Sequence, residues 1–367
     1  MQKSGFINRT ASVLNVLAAF ALLLCYLPWY ISPEKLWVTG FISLSYPYFL
    51  FINLAFLIYW SIQRKRLFLL SLLAVGAGFN HIPATLQLHY NNTPPEGRTP
   101  IKIMSYNVRV FDLYNWKHFG EGRKKIFNLI AEESPDVLCF QEFFTSDSRK
   151  FNNLDSLAAR QKACFVHFEP VKKLYTDDYF GIATFSAFPI VNKGRINFEG
   201  KTHNLCIFSD IKVNEDTLRI FNVHLQSVRF EETDYRFVEN LKNENQEEDV
   251  KGFFNIVRKL KRAFIMRAAQ VDLIEKYIRK SPYPVILCGD FNDTPSSYTY
   301  HRLTSALSDS FIESGFGFGK TYAGGVFPSF RIDYILHDEN FRAYSFRKLS
   351  YLLSDHYPVT CFIDINK

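Results

Sequence analysis

Acids, amides and imidazoles recur directly after apolar runs in the second half of this sequence. Each run has the composition of a β-strand, and the polar residue follows where the strand should end. A single such residue is typically a turn or capping residue. Residues 354–356 instead precede the last predicted strand, and the six strand termini together are expected to meet at one rim, where α/β proteins place their sites. The residues concerned are Asn107, Gln141, Glu142, His224, Gln226, Asp290, Asn292, Asp333, Asp355 and His356.

The types of these side chains indicate a reaction class. Glu142, Asp290 and Asp355 offer hard oxygen ligands, and no thiolate lies among them, which favours Mg²⁺ or Mn²⁺ over Zn²⁺. The sequence has no P-loop, no GxGxxG after a strand, and no nucleophilic Ser or Cys motif. A divalent metal, a base for water, and imidazole partners such as His224 and His356 suit attack of water on a phosphate ester.

The elements that must position these side chains alternate between strand and helix patterns. Many strands and few helices predict two packed sheets with helices outside them. The predicted helices span 123–133, 153–159 and 252–280, and the apolar stripe of the third, from Phe253 to Ile278, is expected to face the core. The predicted strands span 102–106, 136–140, 179–186, 204–213, 217–225, 285–288, 332–337 and 359–363.

The front of the chain reads as a membrane anchor. Residues 11–30 and 36–63 form uncharged runs of 20 and 28 residues, each long enough to cross a hydrocarbon core of about 30 Å as a helix. Residues 67–79 form a shorter run of 13, which we expect to be a third span when extended toward residue 95. The alternative is an interfacial or re-entrant segment. A cleaved signal peptide is disfavoured for the first run, since further apolar runs follow it.

The number of spans decides the compartment of the rest of the chain. With three spans, the N-terminus and the basic loop 64–66 share a side that carries five Lys or Arg residues, while the other short loop has only Lys35. Basic loops stay cytoplasmic, so the C-terminal part is expected outside the cytoplasm. With two spans, it would lie in the cytoplasm. Residues 1–90 are therefore predicted as the anchor, 91–100 as a polar, Pro-rich linker, and 101–367 as the catalytic domain.

Composition and charge exclude several classes of protein. In the 367 residues, 47% are hydrophobic and 22% charged, which excludes a disordered chain, and six cysteines exclude a disulfide scaffold. The net charge is +7, but residues 1–97 hold six basic and two acidic residues. The remainder is only mildly basic, which argues against tight nucleic-acid binding driven by charge alone.

The ordered set of motifs resembles the endonuclease/exonuclease/phosphatase family, which includes the DNase I-like nucleases, inositol phosphatases and neutral sphingomyelinases. The resemblance spans 101–363 and implies a four-layer α/β/β/α sandwich, an α+β fold. The combination of GDFN, RIDY and SDH is highly specific. The matching segments are IMSYN at 103–107, DVLCFQE at 136–142, GIATFS at 181–186, NVHL at 222–225, GDFN at 289–292, RIDY at 331–334 and SDH at 354–356.

The resemblance also implies roles for individual residues. Glu142 would be the principal metal ligand, with Asn107 beside it and Asp355 as a second carboxylate on the metal side. Asp290 would orient or deprotonate the attacking water, held by Asn292. His356 would act on the scissile phosphate with Asp333 as its carboxylate partner. His224 would be the other phosphate-facing imidazole and a possible general acid.

Two arginines are candidates for substrate binding. Some family members carry Asp where this chain has Arg109, so the resemblance favours one metal ion over two. Arg109 could pair with a phosphate, and the alternative is a surface salt bridge. Arg331 opens the RIDY motif and is predicted to contact substrate as well.

Three functions remain open on the sequence. The first is a tethered phosphodiesterase or phosphatase acting on a lipid head group or small phosphoester. The second is a tethered nuclease, which the basic run at 258–262 with Arg267 would favour if it lined a groove. The third is a non-catalytic phosphate-binding module. The loop 315–330 could shape the substrate pocket, contact lipid, or pack on its own aromatics, and no protein partner is predictable.

Overall fold

The computed structural model describes residues 2–89, 93–112, 119–148, 151–159, 164–173, 177–200, 202–231, 233–234, 237, 246–324 and 330–365. Its N-terminal part is helical. The helices there are α1 (Gln2–Leu24), α2 (Val38–Ile62), α3 (Phe68–Ala77) and the short α4 (Ile82–Thr85). The predicted linker and the charged stretch 229–251 lie partly outside the described residues.

Two of these helices are long and apolar enough to cross a membrane. They are Phe6–Trp29, with a mean hydropathy of 2.1, and Val38–Ile62, with 1.8. Phe68–Ala77 and Phe79–Thr85 form a pair bent by 60°, which is either one broken span or a re-entrant loop. The first two apolar runs thus form helices of the expected kind. The third apolar run forms the bent pair of helices, so the number of spans stays a prediction. The side of the membrane on which residues 101–367 lie therefore stays a prediction as well.

Buried polar groups join the anchor helices to one another. Asn53 of α2 donates to the carbonyl of Ala18 in α1 at 2.9 Å, and Ser71 of α3 donates to Asn15 of α1 at 2.7 Å. Hydrogen bonds between apolar helices satisfy polar atoms that hydrocarbon would otherwise leave without partners. The three helices therefore form one packed unit.

The rest of the chain is built on two six-stranded mixed sheets. Their orders are β10-β12-β9-β8-β7-β6 and β13-β14-β2-β3-β5-β4, and β1 pairs separately with β11. Within the sheets β8–β9 and β2–β3 are parallel and the other pairs antiparallel. The strands are β1 (Gln87–Leu88), β2 (Ile101–Asn107), β3 (Val137–Ser146), β4 (Phe165–Lys173), β5 (Asp178–Ser186), β6 (Ile190–Ile196), β7 (Leu205–Val213), β8 (Asp216–His224), β9 (Val285–Asp290), β10 (Ser308–Asp309), β11 (Phe316–Gly317), β12 (Asp333–His337), β13 (Arg342–Lys348) and β14 (Val359–Asp364).

Helices cover the outer faces of both sheets, which gives four layers. The inner faces meet in one core that includes Ile103 and Ile220. Ile126 of α5 packs outside the β2–β3 sheet, and Val271 of α7 packs outside the β8–β9 sheet. The outer helices are α5 (Phe119–Glu133), α6 (Asn153–Ala158), α7 (Gln246–Arg279) and α8 (Tyr298–Thr304), while the short α9 (Ser310–Ser314) inserts Phe311 into the core between the sheets. The predicted α+β four-layer sandwich, preceded by apolar helices, is confirmed.

Two local expectations were wrong. The strand predicted to end before Gln141 continues to Ser146. Gln141 and Glu142 form a bulge within this strand, between Phe140 and Phe143, instead of following it. The helix predicted at 252–280 begins at Gln246, and Phe253 is 55% exposed rather than core-facing. The stripe reaches the core only from Phe264 onward, where the helix lies over the sheet.

The N-terminal apolar helices pack directly on the two-sheet part of the chain. Trp29 donates its indole N–H to the carbonyl of Pro295 at 3.1 Å and stacks on His301 at 4.6 Å. Phe264 of α7 lies edge-on to Phe41 of α2, with ring centroids 5.1 Å apart. The catalytic part therefore has a defined face against the apolar helices.

Candidate active site

The site is organised around Asp290 at the end of β9. Parallel pairing places His224, the last residue of β8, in register with Asp290. Gly289 precedes Asp290 with φ +149°, and a Cβ there would lie 1.9 Å from the carbonyl oxygen of Val223. Only glycine fits this approach, so the close packing of β8 and β9 fixes where the Asp290 carboxylate points.

Amide donors hold the Asp290 carboxylate on both oxygens. Asn107 Nδ2 donates to Oδ2 at 3.0 Å, and Asn292 Nδ2 donates to the same oxygen at 3.1 Å. The backbone N–H of Asn292 donates to Oδ1 at 2.8 Å. Burial raises the pKa of Asp290, while the neighbouring His356 and the Asn107 hydrogen bond oppose that rise. The carboxylate is thus fixed in orientation and made more basic than an exposed aspartate.

Asn292 owes its position to a buried arginine. Its backbone has φ +53°, an uncommon conformation for a residue other than glycine. Arg267 of α7 donates to the Asn292 carbonyl and lies 3.4 Å from the Asp293 carboxylate, with 1% of its surface exposed. Arg267 therefore supports the turn after β9 from within and is not available to a groove.

His356 and Asp333 form a buried pair beside Asp290. His356 Nδ1 lies 2.9 Å from Asp333 Oδ2, and Nε2 lies 3.7 Å from Asp290 Oδ2. Burial alone would lower the pKa of His356, but the Asp333 and Asp290 carboxylates outweigh it and hold that pKa well above its ordinary value. The two carboxylates therefore favour the protonated, imidazolium form of His356.

His224 lies on the other side of the Asp290 carboxylate. Its Nε2 is 3.7 Å from Asp290 Oδ2 and 3.8 Å from Glu142 Oε1. This nitrogen is buried and has no hydrogen-bond partner among the described residues. Burial lowers the pKa of His224 despite the opposing charge of Asp290. A neutral imidazole is left with one nitrogen free to contact a ligand.

Glu142 reaches the site because of the bulge in β3. Its backbone has φ +51°, and its side chain is 28% exposed, beside Asn107 and His224. Burial, together with the Asp355 carboxylate, raises the pKa of Glu142 to about 7. Repulsion between carboxylates around Glu142 is the situation that a bound cation relieves.

Asp355 and Arg109 stand at the outer edge of the site. Arg109 Nε lies 3.7 Å from Asp355 Oδ2, and the arginine side chain is half-exposed. Ser354 donates to the carbonyl of Asn107 at 2.9 Å, which ties this loop to the end of β2. Arg109 is thus next to the carboxylates with its guanidinium open to solvent.

Arg331 is placed differently from the other predicted residues. It is 3% exposed and donates to Asp309 at 2.8 Å and to the carbonyl of Ala84 at 2.8 Å. Its guanidinium also lies 4.4 Å from the Phe311 ring centroid. These contacts support a structural link between the anchor and β12, and they lend no support to substrate binding at Asp290.

Sequence reasoning assigned no role to Thr321 and Tyr322 in the 315–330 loop. Thr321 Oγ1 accepts from the backbone N–H of Asp333 at 3.1 Å, and the Tyr322 ring lies edge-on to His356 at 5.5 Å. Loop residues with no apolar pattern gave no signal for this contact. The described part of the loop therefore touches the His356–Asp333 pair.

Comparison with known families decides the assignment of the chain. The family model described as Endonuclease/Exonuclease/phosphatase family matches residues 104–356, well over half of the sequence. The chain belongs to this family. The predicted class of enzyme, a hydrolase acting on phosphoester bonds, is confirmed at this level. A model of a domain of unknown function, DUF8431, matches residues 8–85, and no curated protein matches the chain.

Solved structures share the sandwich at low sequence identity. An endonuclease/exonuclease/phosphatase family protein from Bacteroides thetaiotaomicron superposes with a TM-score of 0.53 at 17% identity, covering 74% of this chain and 99% of that one. The catalytic domain of human nocturnin with bound sulfate gives 0.52 at 19%, covering 72% and 94%. Humanized D. rerio TDP2 gives 0.50 at 15%, covering 73% and 99%. At these identities the likeness establishes the fold alone.

Proposed function

We propose that the chain is a membrane-tethered, Mg²⁺- or Mn²⁺-dependent phosphoester hydrolase acting on a lipid head group or a small phosphodiester. The observation that supports this most is the cluster around Asp290. One carboxylate is held by two asparagines and lies 3.7 Å from two imidazoles, His356 and His224, of which only His356 is paired with a second aspartate. Asp290 can therefore serve as a base while the neighbouring His356 supplies positive charge in the same small site.

The base in this proposal is Asp290. Its carboxylate is held by Asn107 and Asn292 so that it can orient a water molecule and take its proton. Burial raises the pKa of Asp290, which brings its basicity closer to what proton transfer near neutral pH requires. The proton passes from the water to Asp290 as the water oxygen attacks the phosphorus, the ester P–O bond on the far side breaks, and the departing alkoxide takes a proton from solvent.

The histidines act on the phosphate in different protonation states. His356, held as an imidazolium by Asp333 and Asp290, places positive charge where negative charge grows in the transition state. His224 has a lowered pKa and is neutral near pH 7, so we assign it a hydrogen bond to a phosphate oxygen. The role of general acid suits His224 less, because a neutral imidazole gives up a proton reluctantly.

The donor set at Glu142 fits a hard divalent cation. Glu142, Asn107 and Asp355 offer carboxylate and amide oxygens, and the pKa of Glu142 is raised by burial and, to a smaller extent, by the Asp355 carboxylate beside it. When bound there, the ion would supply Lewis-acid stabilisation of the charge on the phosphate. Asp290, Asp333 and His356 also have potential ligand atoms within 4.8 Å of one another. Because Asp333 is already paired with His356 Nδ1, we assign Asp290, Asp333 and His356 to proton transfer and charge stabilisation rather than to metal binding.

The basic residues of α7 favour a lipid or small substrate over nucleic acid. Lys259 pairs with Asp234, and Lys261 lies over the ring of Trp37 at 4.9 Å, at the start of α2. Arg267 is buried under Asn292. Lys259, Lys261 and Arg267 are therefore engaged away from a groove at the site. The exposed Arg262 lies near Arg229, whose charge adds to the effect of burial in lowering the pKa of His224. Arg109, half-exposed beside Asp355, is placed to contact a substrate phosphate.

The tether rests on the two long apolar helices and on the charges of their loops. If the bent α3 segment crosses the membrane as well, the basic loops place the catalytic domain outside the cytoplasm. We propose this orientation. A cysteine-accessibility assay tests it directly: a cysteine introduced at the exposed Glu339 should react with a membrane-impermeant maleimide on intact cells. Protection there, with labelling after lysis, would place the domain inside.

A panel of substrates tests the proposed substrate class. The full chain in lipid nanodiscs with Mg²⁺ would be given a phospholipid, a small phosphodiester and plasmid DNA, each at two salt concentrations. We expect turnover of the lipid or small ester, little changed by salt. Strong DNA cleavage that falls steeply with salt would instead make the chain a tethered nuclease. No turnover of any substrate would favour the phosphate-binding module.

A further inference from the structure

A cavity lies between the anchor and the catalytic part, away from the Asp290 cluster. It has a volume of about 380 Å³, within the range of small-molecule sites. Its lining includes Pro47, Tyr48 and Phe51 of α2 together with Phe318 and Phe330 of the loop before β12, and the rings of Phe51 and Phe318 meet edge-on at 5.9 Å. Neither part of the chain forms this cavity alone.

Two buried polar atoms in the lining have no partner in the part of the chain that the structure describes. They are Oγ1 of Thr294 and Nε of Arg331, on residues that are 4% and 3% exposed. Buried donors without partners cost roughly 1–3 kcal/mol each, so such groups normally mark a bound molecule or water. Both residues line the cavity.

The rim of the cavity carries a cation without an acidic partner. Lys320 is exposed, lines the cavity, and has no carboxylate within ion-pair distance among the described residues. Its ammonium lies 5.9 Å from the ring centroid of Phe318. A ligand with an apolar body, oxygen acceptors and a negative charge would complement this lining.

The position of the cavity along α2 indicates where such a ligand comes from. Counting from Ile62 at 1.5 Å per residue, Pro47 lies about 22 Å along the helix, within the upper third of a hydrocarbon core of about 30 Å. Leu88 and Phe316, paired across β1 and β11 nearby, are 74% and 62% exposed. Exposed apolar side chains beside this cavity would contact lipid in the proposed membrane.

We propose that this cavity binds an anionic phospholipid of the surrounding bilayer. An acyl chain lies against Pro47, Phe51 and Phe318, and the oxygens of the lipid head and ester groups meet Lys320 and Thr294. The inference rests on the proposed membrane tether, but it does not require that this lipid be hydrolysed. Since Lys320 adjoins Thr321 and Tyr322, the bound lipid would steady the loop that contacts Asp333 and His356.

Photolabelling of the full chain tests the proposal. The chain would be reconstituted in phosphatidylcholine nanodiscs with a trace of phosphatidylglycerol that carries a diazirine on its acyl chain. We expect the label on peptides around 47–51 and 316–320, competed better by phosphatidylglycerol than by phosphatidylcholine. Lys320→Gln should lower the labelling of these peptides about fivefold, because one basic side chain near a bilayer strengthens the binding of anionic lipid by about that factor. The matched control Lys280→Gln, at the far end of α7, should leave it unchanged.

A second variant and two controls keep the outcomes distinct. Thr294→Val preserves shape while removing the unpaired hydroxyl, and it should also lower labelling. Label spread evenly over outward residues such as Phe20 and Leu73, unaffected by either variant, would overturn the lipid site. A chain recovered outside the membrane fraction would overturn the tether and the lipid site together. Hydrolysis of a soluble phosphodiester, assayed in parallel, reports on the catalytic proposal independently.

Discussion

At the scale of single residues, the site contains side chains that belong to the sequence motifs and other side chains that hold them in place. Asp290, Asn292, His224, His356 and Asp333 come together, as their positions near strand termini led us to expect, although their roles remain proposals. Arg267 was grouped in the sequence with a basic run that could line a substrate groove. In the structure Arg267 is buried against Asp293 and cannot line a groove. No local sequence pattern distinguishes a buried arginine from an exposed one.

The pair His356–Asp333 makes a prediction about pH. Asp333 raises the pKa of His356, so the imidazolium persists to higher pH than an isolated histidine would allow. In Asp333→Asn that pKa falls, and the proton is lost at lower pH. The alkaline limb of the profile of kcat/KM against pH should therefore move toward lower pH, with a reduced maximum. An unmoved limb would show that the titration of His356 does not control the rate.

Glu142 makes a prediction about metal. Its pKa of about 7 means that protons compete with a cation for this carboxylate as the pH falls below that value. The Mg²⁺ concentration that gives half-maximal activity should rise as the pH falls through 7. In Glu142→Gln this pH dependence should disappear and the metal requirement should be high throughout. Titration of activity with Mg²⁺ at several pH values measures both effects, with the exposed Glu339→Gln as the control.

At the scale of elements, apolar patterning revealed the inner strands and missed the edges. The strands that the sequence did not predict include β4, β6, β10 and β13, and these are the outermost strands of the two sheets. An edge strand buries little of its surface; β6 exposes most of its residues, and β4 contains Pro170. Polar and Pro-containing edges avoid pairing with other chains, and the same property hides them from pattern analysis.

Asn222 links the two sheets and makes a prediction about stability. It lies on β8, and its amide donates to the carbonyl of Ala183 on β5 at 2.9 Å, while its oxygen accepts from Gln141 on β3 at 2.8 Å. Asn222→Leu would leave these buried partners unsatisfied and should destabilise the fold by about 3 kcal/mol. Pulse proteolysis across urea concentrations measures this, with the exposed Asn340→Leu as the control. Equal stability of the two variants would contradict the role of this link.

At the scale of the whole molecule, the anchor and the catalytic part are one packed structure. Arg331 reaches the carbonyl of Ala84, Trp29 reaches Pro295, and β1 pairs with β11. The sequence predicted an anchor and a domain joined by a linker, and it gave no sign of these contacts. Contacts between distant segments depend on three-dimensional placement, which a linear pattern of hydrophobicity does not carry.

These contacts predict the outcome of truncation. A fragment of residues 98–367 loses Ala84 and β1, so Arg331 keeps a buried charge with one partner fewer, and β11 loses its partner strand. A fragment of residues 79–367 keeps both. The longer fragment should melt at a higher temperature and hydrolyse a soluble phosphodiester faster, as differential scanning fluorimetry and the assay would report. Identical behaviour would show that the anchor contributes nothing to the fold beyond location.

The most direct test of the central claim is metal-dependent hydrolysis of a small chromogenic phosphodiester by the full chain in nanodiscs. We predict turnover that requires Mg²⁺ or Mn²⁺ and is abolished by chelation. Asp290→Asn and His356→Gln should each reduce it by on the order of 10²–10⁴-fold while the thermal midpoint stays near wild type, and Glu339→Gln should change neither. Turnover that survives both substitutions, or that needs no metal, would contradict the proposed site and mechanism.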